Sequence, residues 1–539
     1  MQQSITRLVF AFFAISAWLD AVSTGSGQAL AHSTPQGTKS FASRGDSDQS
    51  AFPALESTGI QFNLTHGSVE KRSEKENSWM LLQRQLNHGR ARLAQMQSRN
   101  VPSSEELSEA MDRRRRWLER RAMDPEIQSP DILGRTAVHT ESYDASILGH
   151  NQTLSLGERQ RGSRRSSGKF VVRDSNSNSA VNRIKEAAQQ NKVTNAQDPS
   201  ADNTLGLSIE ANDVGYFTTV QIGSSNNNFK LLVDSGSSDT WVSGTNCSNC
   251  ASHNKLGESS SSSLKISNKQ YKISYGTGSV NVNRATDSMT VAGHTISNMQ
   301  IGVSTSETAE FGGENIPFDG LMGLGGSALS VLGGKTVIEM MADQNLVDQP
   351  VVGYRLGRVA DGSNNNHGQI TFGAIDSSQV SGSLQEFDNQ SNNGYWEIVL
   401  EDVSVGSKSV LGSRRRRGSN KHRATLDTGT SLIIAPQSVA DAIHNAIQGS
   451  SSDGQGGYEI PCSTDTSLTF TFKGGYKFTM DSRDMIFSVS DSDTGKCVSS
   501  VSSGSSEGES AWILGAAFLK NVYFATNTRT NQIGIGKLK

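Results

Sequence analysis

The sequence predicts an all-β body with only a few short helices, folded as two related lobes around one cleft. Short apolar or alternating runs begin near residue 203, and Gly, Asn and Ser separate them, as is typical of strands joined by tight turns. The stretch from there to residue 539 exceeds the usual size of one hydrophobic core, so we expect two lobes. An acid–hydroxyl–glycine motif also directly follows an apolar run once in each half, at 234–236 and at 427–429.

The strand signals share a length of six to twelve residues and a turn at one or both ends. They are YFTTVQIG (216–223), FKLLVD (229–234), YKISYG (271–276), SMTVAG (288–293), QITFGA (369–374), YWEIVLEDVSVG (395–406), SLTFTF (467–472) and QIGIGKL (532–538). Two helices are predicted among them, at 337–344 and 436–448. We assign residues 201–385 to an N-terminal lobe and residues 386–539 to a C-terminal lobe.

Residues 1–31 have the features of a secretory signal peptide. Arg7 precedes the apolar run of residues 8–19, and small residues at 21–23 or 29–31 offer a cleavage site. The apolar run is too short to span a bilayer, and no later stretch reaches spanning length, so no membrane anchor is expected. We therefore expect a secreted or vacuolar protein.

Residues 32–200 are expected to form a basic, largely disordered pro-region. They are rich in Ser, Gln and Arg, and one helix is predicted at 78–97 from the spacing of its apolar residues. The basic runs at 113–116, 119–123 and 159–169 are predicted to be solvated, mobile chain that also offers processing sites. A further basic run, Arg414–Arg417, is either an exposed loop or a cleavage site.

The charge distribution argues against nucleic-acid binding. The formal net charge is only −3, but the pro-region is mildly basic while the strand-rich body is acidic. A nucleic-acid-binding protein would carry its positive charge on the folded body. The asymmetry instead suggests that the pro-region binds the body of the same chain.

The four cysteines all lie in the strand-rich body. Cys247–Cys250 and Cys462–Cys497 is the favoured pairing, although the sequence permits three connectivities. The C-x-x-C spacing of the first pair is also that of a metal or redox site, but a zinc site would need two more ligands nearby. No metal or other cofactor is expected. N-glycosylation motifs begin at Asn63, Asn151, Asn246 and Asn389.

Two aspartates occupy matching positions in the two halves. Asp234 ends an apolar run and precedes Ser-Gly-Ser-Ser, and Asp427 ends another and precedes Thr-Gly-Thr-Ser. Each is followed, at the same spacing, by an apolar-apolar-glycine strand, FDGLMGLG (318–325) and AWILGAAFL (511–519). Two related lobes would bring both acids to one cleft, where paired carboxylates share a proton and can activate water.

The residues that follow each acid would supply hydrogen-bond donors to its carboxylate. Glycine lets the backbone approach, and a hydroxyl can orient the outer oxygen of the acid. The residues that support the two acids in this way are Ser235, Gly236, Ser237, Thr428, Gly429 and Thr430. These donors would offset the cost of burying a charge at the end of an apolar strand.

From about residue 205 to residue 539 the chain resembles the pepsin-like (A1) family of aspartic endopeptidases. The resemblance is carried by Asp234-Ser-Gly-Ser-Ser, TWV (240–242), SYGTGS (274–279), FDGLMGLG, Asp427-Thr-Gly-Thr-Ser and WILGAAF (512–518) in that order. It implies a two-lobed acid-protease fold with the active-site cleft between the lobes. It also implies that Asp234 and Asp427 are the catalytic pair.

The resemblance assigns further residues to the substrate cleft. Tyr275 would sit on a flap, Gly276 and Thr277 would meet the substrate backbone, and Trp241 would support the tyrosine. The remaining pocket residues implied are Leu232, Phe318, Leu321 and Ile513. The implied substrates are proteins or peptides with bulky apolar residues around the scissile bond.

We expect a monomer because one chain supplies both acids, and the resemblance implies an enzyme that is made as an inactive precursor. A basic side chain of the pro-region would rest on the catalytic pair, and by position Lys185 or Lys192 would be that residue. Ala516 stands where strongly acid-adapted members carry Asp, which leads us to expect activity in mild acid. The alternatives are a catalytically silent protein with the same fold and a glycosidase with paired carboxylates.

Overall fold

The computed structural model describes residues 74–123, 175–276, 278–411, 422–491, 494–505 and 510–539. The helices of these residues are α1 (Glu74–Met96), α2 (Ser104–Met123), α3 (Ser175–Gln190), α4 (Ala309–Gly312), α5 (Val337–Asp343), α6 (Gln437–Asn445) and α7 (Ala516–Leu519). Helices α5 and α6 confirm the two that were predicted within the strand-rich body.

The strands lie almost entirely after residue 203, as predicted. In the first half they are β1 (Val193–Thr194), β2 (Thr204–Gly206), β3 (Ser208–Glu210), β4 (Gly215–Ile222), β5 (Asn227–Asp234), β6 (Trp241–Ser248), β7 (Lys265–Ser274), β8 (Ser279–Val291), β9 (His294–Glu307) and β10 (Gly320–Gly323). The next are β11 (Val351–Arg355), β12 (Gln369–Phe372), β13 (Val380–Asp388), β14 (Glu397–Val405), β15 (Lys408–Ser409), β16 (His422–Leu426), β17 (Ile433–Pro436), β18 (Ser451–Ser452) and β19 (Tyr458–Pro461). The last are β20 (Leu468–Phe472), β21 (Tyr476–Thr479), β22 (Ile486–Asp491), β23 (Lys496–Ser499), β24 (Val501–Ser505), β25 (Ala511–Leu514), β26 (Val522–Asn527) and β27 (Gln532–Leu538).

The two halves repeat one strand arrangement. In the N-terminal nine-stranded sheet, β10 lies between β5, to which it is parallel, and β6, to which it is antiparallel. In the C-terminal eight-stranded sheet, β25 lies between β16, to which it is parallel, and β17, to which it is antiparallel. The shared pattern confirms that the body consists of two related β halves.

A third sheet joins the halves. Its six strands run in the order β13-β27-β26-β11-β12-β2, so it draws on the start, middle and end of the body. The expected lobe boundary between residues 385 and 386 falls inside β13, which spans Val380–Asp388. Strand β13 pairs with β27, and β27 pairs with β26, so this part of the chain belongs to the joining sheet.

Much of the region expected to be disordered is helical in the described residues. Helix α1 matches the predicted helix, and its side chains Trp79, Leu82, Leu86 and Leu93 are buried against the C-terminal lobe. Helix α3 buries Ala180, Ile184 and Ala187 in the main core, and β1 pairs with β3. The runs 113–116 and 119–123 were wrongly predicted to be mobile chain, because both lie within α2 and Arg114 is fully buried.

Several sequence expectations lie outside the described residues. They are the signal peptide 1–31, the glycosylation sites Asn63 and Asn151, the basic run 159–169, Thr277, and the loop 412–421 with Arg414–Arg417. Among the helices that the structure does describe, none combines the length and apolar character needed to cross a membrane.

The described cysteines are joined as Cys247–Cys250 and Cys462–Cys497, the pairing that the sequence favoured. The two other glycosylation motifs differ in their surroundings. Asn246 is exposed, whereas the side-chain amide of Asn389 donates to Tyr395 O at 2.8 Å and to Asn531 Oδ1 at 2.9 Å. A glycan on the Asn389 amide would disrupt these two hydrogen bonds, so Asn246 is the better candidate for N-glycosylation.

Candidate active site

The two aspartates lie at equivalent ends of the repeated strand pairs. Asp234 is the last residue of β5, and Asp427 follows the last residue of β16. Both side chains are buried, with relative exposures of 1% and 0%. Asp234 is the last residue of a strand that is paired with a parallel neighbour, and Asp427 is the next residue after such a strand, so the sheet fixes the position of each acid.

Each carboxylate accepts two local hydrogen bonds in the same pattern. For Asp234, the Gly236 N–H donates to Oδ1 at 2.9 Å and the Ser237 hydroxyl donates to Oδ2 at 2.5 Å. For Asp427, the Gly429 N–H donates to Oδ1 at 3.0 Å and the Thr430 hydroxyl donates to Oδ2 at 2.6 Å. These donors orient the acids and stabilise their charged forms.

A reciprocal network ties the two halves together directly behind the acids. The Ser235 N–H donates to Thr428 Oγ1 at 2.9 Å, and the Thr428 N–H donates to Ser235 Oγ at 3.0 Å. Each hydroxyl then donates across to a carbonyl of the other half, Ser235 to Leu426 at 3.0 Å and Thr428 to Val233 at 2.9 Å. All these groups are buried, so the network holds the two strand ends in one relative position.

Glycine is required beside each acid because the partner acid lies so close. A Cβ atom on Gly236 would stand 2.6 Å from Asp427 Oδ1, and one on Gly429 would collide with Asp234 Oδ1. Each glycine of one half therefore faces the carboxylate of the other half. The two acids are thus brought together, as the sequence predicted.

The guanidinium of Arg92, from helix α1, lies between the two carboxylates. Its Nη2 is 2.6 Å from Asp234 Oδ1 and 3.2 Å from Asp427 Oδ1, and its Nε is 2.9 Å from Asp427 Oδ2. The Arg92 side chain is only 2% exposed. One nitrogen atom of a single side chain therefore contacts an oxygen of each acid.

Burial and the neighbouring charges separate the two acids electrostatically. Burial raises the pKa of Asp234, and the charge of Asp427 adds to this, so its pKa stays above the ordinary value although Arg92 opposes the shift. Burial would also raise the pKa of Asp427, but the charge and hydrogen bonds of Arg92 and the Thr430 hydroxyl lower it overall. Burial alone would lower the pKa of Arg92, and the two acids raise it well above its ordinary value.

Lys185 or Lys192 was predicted, from its position in the sequence, to be the basic residue that rests on the two acids. This prediction was wrong, because Arg92 occupies that place. Lys192 instead lies 3.5 Å from Glu186, on the surface. The predicted helix did contain a signal for Arg92. Gly89, three residues earlier, is a poor helix former within an otherwise good helix sequence. A Cβ atom at this position would lie 2.6 Å from Ile434 Cγ1. That close approach brings the helix face that carries Arg92 down onto the acids.

The structure places the expected flap residues beside the acids and against α1. The Trp241 indole N–H donates to the Tyr275 hydroxyl at 2.8 Å, and both rings contact Phe311 edge-on. A Cβ on Gly276 would collide with the backbone of His88 in α1. Helix α1 therefore occupies the space between the flap and the acids.

The implied pocket residues fall into two groups. Leu232, Phe318 and Leu321 line a cavity of about 220 Å³ together with Tyr275 and Asp234. Ile513 lies apart from them, buried in the apolar cluster that α1 forms with the C-terminal lobe. Sequence reasoning did not single out Glu210 and Glu310, which line the same cavity as Leu232.

Among the described residues, the metal-ligating types Cys247, Cys250 and Glu307 bring their ligand atoms within 4.8 Å of one another. The two sulfurs are bonded to each other, and the Glu307 carboxylate accepts from the hydroxyls of Ser243 and Ser304 at 2.7 Å each. The two cysteines therefore form the disulfide that the sequence favoured.

A two-lobed β fold with one buried aspartate from each lobe defines a paired-carboxylate site. The sequence model of the family described as eukaryotic aspartyl protease matches residues 215–538. The chain belongs to this family, which establishes the pepsin-like fold that the motifs implied.

Curated relatives share this stretch of the chain. A probable aspartic-type endopeptidase CTSD of Arthroderma benhamiae is 34% identical over 347 residues, which are 64% of this chain and 65% of the relative. An aspartic-type endopeptidase ctsD of Aspergillus fumigatus is 32% identical over 346 residues, 64% of this chain and 70% of the relative. Rhizopuspepsin-1 of Rhizopus niveus is 33% identical over 329 residues, 60% of this chain and 79% of the relative. The match to the Arthroderma protein thus spans slightly less than two thirds of its length.

Proposed function

We propose that the protein is an aspartic endopeptidase that is made as a latent precursor. The observation that supports this most strongly is the position of Arg92, whose Nη2 contacts both Asp234 and Asp427. A water molecule in the place of that nitrogen would be within hydrogen-bond distance of both acids. Two carboxylates that hold one water are the arrangement needed to hydrolyse an amide by acid–base catalysis.

The reaction follows from the geometry of the pair once Arg92 has left. Two buried carboxylates this close cannot both be charged at low cost, so they share one proton in acid. The charged member takes a proton from the water as the water oxygen attacks the carbonyl carbon, and the neutral member donates its proton to the carbonyl oxygen. As the C–N bond then breaks, the first acid passes its new proton to the amide nitrogen, and the second acid takes back the hydroxyl proton, so that the carboxylic acid and the amine are released. The local donors Gly236, Ser237, Gly429 and Thr430 keep both acids oriented throughout.

The cavity beside Asp234 supports a preference for bulky apolar side chains. Leu232, Phe318, Leu321 and Tyr275 line it, and its volume is about 220 Å³ while α1 closes its other side. Burial raises the pKa of Glu210, in the same lining, to about 7. At acidic pH this carboxyl is therefore uncharged while α1 is in place, and it adds no negative charge to the lining.

The latency follows from the path of helix α1. The helix fills the cleft between the flap and the acids, and its guanidinium takes the place of the catalytic water. Substrate proteins or peptides can bind only after this segment leaves. The chain then acts as a monomer, because it supplies both acids itself, and the N-terminal signal directs it to the cell exterior or a vacuole.

The experiment is hydrolysis of an acid-denatured protein by the full-length chain before and after incubation in acid. The proposal expects little hydrolysis before incubation, strong hydrolysis after it, and complete inhibition by pepstatin, a peptide that mimics the transition state. A chain that stays silent after its N-terminal segment has been removed would be a binding protein of the same fold. Hydrolysis of glycosides in place of proteins would favour a glycosidase.

A further inference from the structure

Helix α2 contacts the C-terminal lobe at a site distinct from the acids. The Arg114 guanidinium is fully buried and forms an ion pair with Asp453, which is 1% exposed. Its Nε also donates to Gln83 Oε1 in α1 at 3.1 Å. Seven residues further along α2, Arg121 donates to both carboxylate oxygens of Glu459 at 3.1 Å.

The C-terminal lobe prepares the Asp453 carboxylate for this contact. Asp453 follows β18, and its Oδ1 accepts from the N–H groups of Gln455 at 2.6 Å and Gly457 at 2.9 Å. These two bonds fix the carboxylate and leave Oδ2 for the guanidinium. Both donors come from the lobe itself, so the orientation of the acid does not depend on α2.

Two tryptophans from the helices enclose the arginines. The Arg114 guanidinium lies 5.2 Å from the ring centre of Trp79 and 5.6 Å from that of Trp117, and Arg121 lies 5.1 Å from Trp117. A flat guanidinium stacks on aromatic rings while it donates to a carboxylate, which a lysine ammonium does less well. The surroundings are therefore suited to arginine.

The neighbouring arginines of the same basic run make no comparable contact with the lobe. Arg113 and Arg115 are 54% and 52% exposed, and they pair with Glu109 and Asp112 of α2 itself. One residue of the run is thus buried against the lobe while its flanking neighbours lie at the surface. This difference provides a matched pair of positions for an experiment.

We propose that Asp453 and Glu459 form a guanidinium-binding site on the C-terminal lobe that recognises helix α2. This site holds the α1–α2 segment in place independently of the contact between Arg92 and the acids. We call the four residues Arg114, Arg121, Asp453 and Glu459 the arginine clamp. Its ligand is a helix that presents two arginines two turns apart with a tryptophan between them. The consequence for latency rests on the proposed function, whereas the binding site rests on the contacts alone.

The test measures hydrogen exchange of the α2 backbone amides in the full-length chain at neutral pH. The variants are Arg114→Ala, its matched control Arg113→Ala, and Asp453→Asn. Asparagine keeps the Oδ1 acceptor for Gln455 and Gly457 but removes the charge that binds the guanidinium. Because Asp453 belongs to the lobe, Asp453→Asn weakens the contact without changing the sequence of α2, whereas Arg114→Ala changes the helix itself.

We expect the amides of residues 104–123 to exchange at least tenfold faster in Arg114→Ala and in Asp453→Asn, with Arg113→Ala unchanged and the strands of the lobes still protected. Equal exchange in Asp453→Asn and Arg113→Ala would overturn the proposal. Because no hydrolysis is measured, this outcome is independent of whether the chain is an endopeptidase. If the proposed function holds, Asp453→Asn should also shorten the half-time of acid activation several-fold.

Discussion

Arg92 and Asp427 share a two-point contact, in which the Nε of the arginine donates to Oδ2 at 2.9 Å and its Nη2 donates to Oδ1 at 3.2 Å. The parallel donation fixes the plane of the guanidinium against the plane of the carboxylate. The same Nη2 also donates to Asp234 Oδ1 at 2.6 Å. The rigid guanidinium group is therefore aligned with both acids at once.

Replacement of Arg92 by methionine should loosen α1. Removing one partner of a buried ion pair leaves the other uncompensated and costs about 3–5 kcal/mol. We expect the α1 amides of the full-length chain to exchange faster, and acid activation to begin at a higher pH. Hydrogen exchange and the time course of activation measure the two effects. Arg84→Met is the control, since Arg84 lies on the exposed side of the same helix. Equal exchange rates and equal activation rates in the two variants would contradict the role of Arg92.

His88 should make the release of α1 sensitive to mild acid. Burial and the nearby charge of Arg92 lower its pKa to about 4, against about 6.5 for a free histidine. As the pH falls from 6.5 through 4, the released segment takes up a proton that the docked segment excludes. Docking therefore weakens by about 1.4 kcal/mol per pH unit, up to about 3 kcal/mol in all.

The variant His88→Gln removes this titration, so we expect activation to require a lower pH, while latency above pH 6.5 is unchanged. The rate of activation as a function of pH measures the shift. His367→Gln is a suitable control because His367 is exposed and lies outside α1. An unchanged activation profile in His88→Gln would show that other groups, such as the acids themselves, set the pH of release.

Thr428→Val should destabilise the junction between the lobes. The substitution preserves shape but removes the hydroxyl that accepts from the Ser235 N–H and donates to Val233 O. A buried group left without its partner costs about 1–3 kcal/mol. We expect a free energy of unfolding lower by that amount in urea titration, whereas Thr428→Ser, which keeps the hydroxyl, should remain within about 1 kcal/mol of the parent.

The pH optimum of the activated enzyme should lie in mild acid. Ala516 begins α7, and its N–H donates to the carbonyl of Thr430 at 2.7 Å, so residue 516 lies directly behind a donor to Asp427. An uncharged side chain there adds no further acid to the titration of the pair. A profile of kcat/KM against pH measures this; an optimum below about pH 2.5 would rule it out.

The sequence predicted the parts of the site that are built from local patterns. An acid at the end of an apolar strand followed by hydroxyl and glycine residues locates Asp234 and Asp427, and the repeated motif predicts that they meet. The clamp could not be predicted in this way, and Gly89 marks a closely packed face of α1 without showing that Arg92 meets the acids. Both sets of contacts join segments that are far apart in the chain. Charge runs such as that of α2 are most often solvated, and burial of Arg114 requires Asp453 and two tryptophans at positions that only the fold defines.

If Asp234 and Asp427 act as one catalytic pair, Asp427→Asn should abolish hydrolysis. Asparagine keeps the volume and the Oδ1 acceptor for the Gly429 N–H but removes the carboxylate. With the N-terminal segment removed, we expect pepstatin-sensitive hydrolysis of an acid-denatured protein to fall at least a thousandfold while the circular dichroism spectrum is unchanged. Hydrolysis at the parent rate would contradict the account.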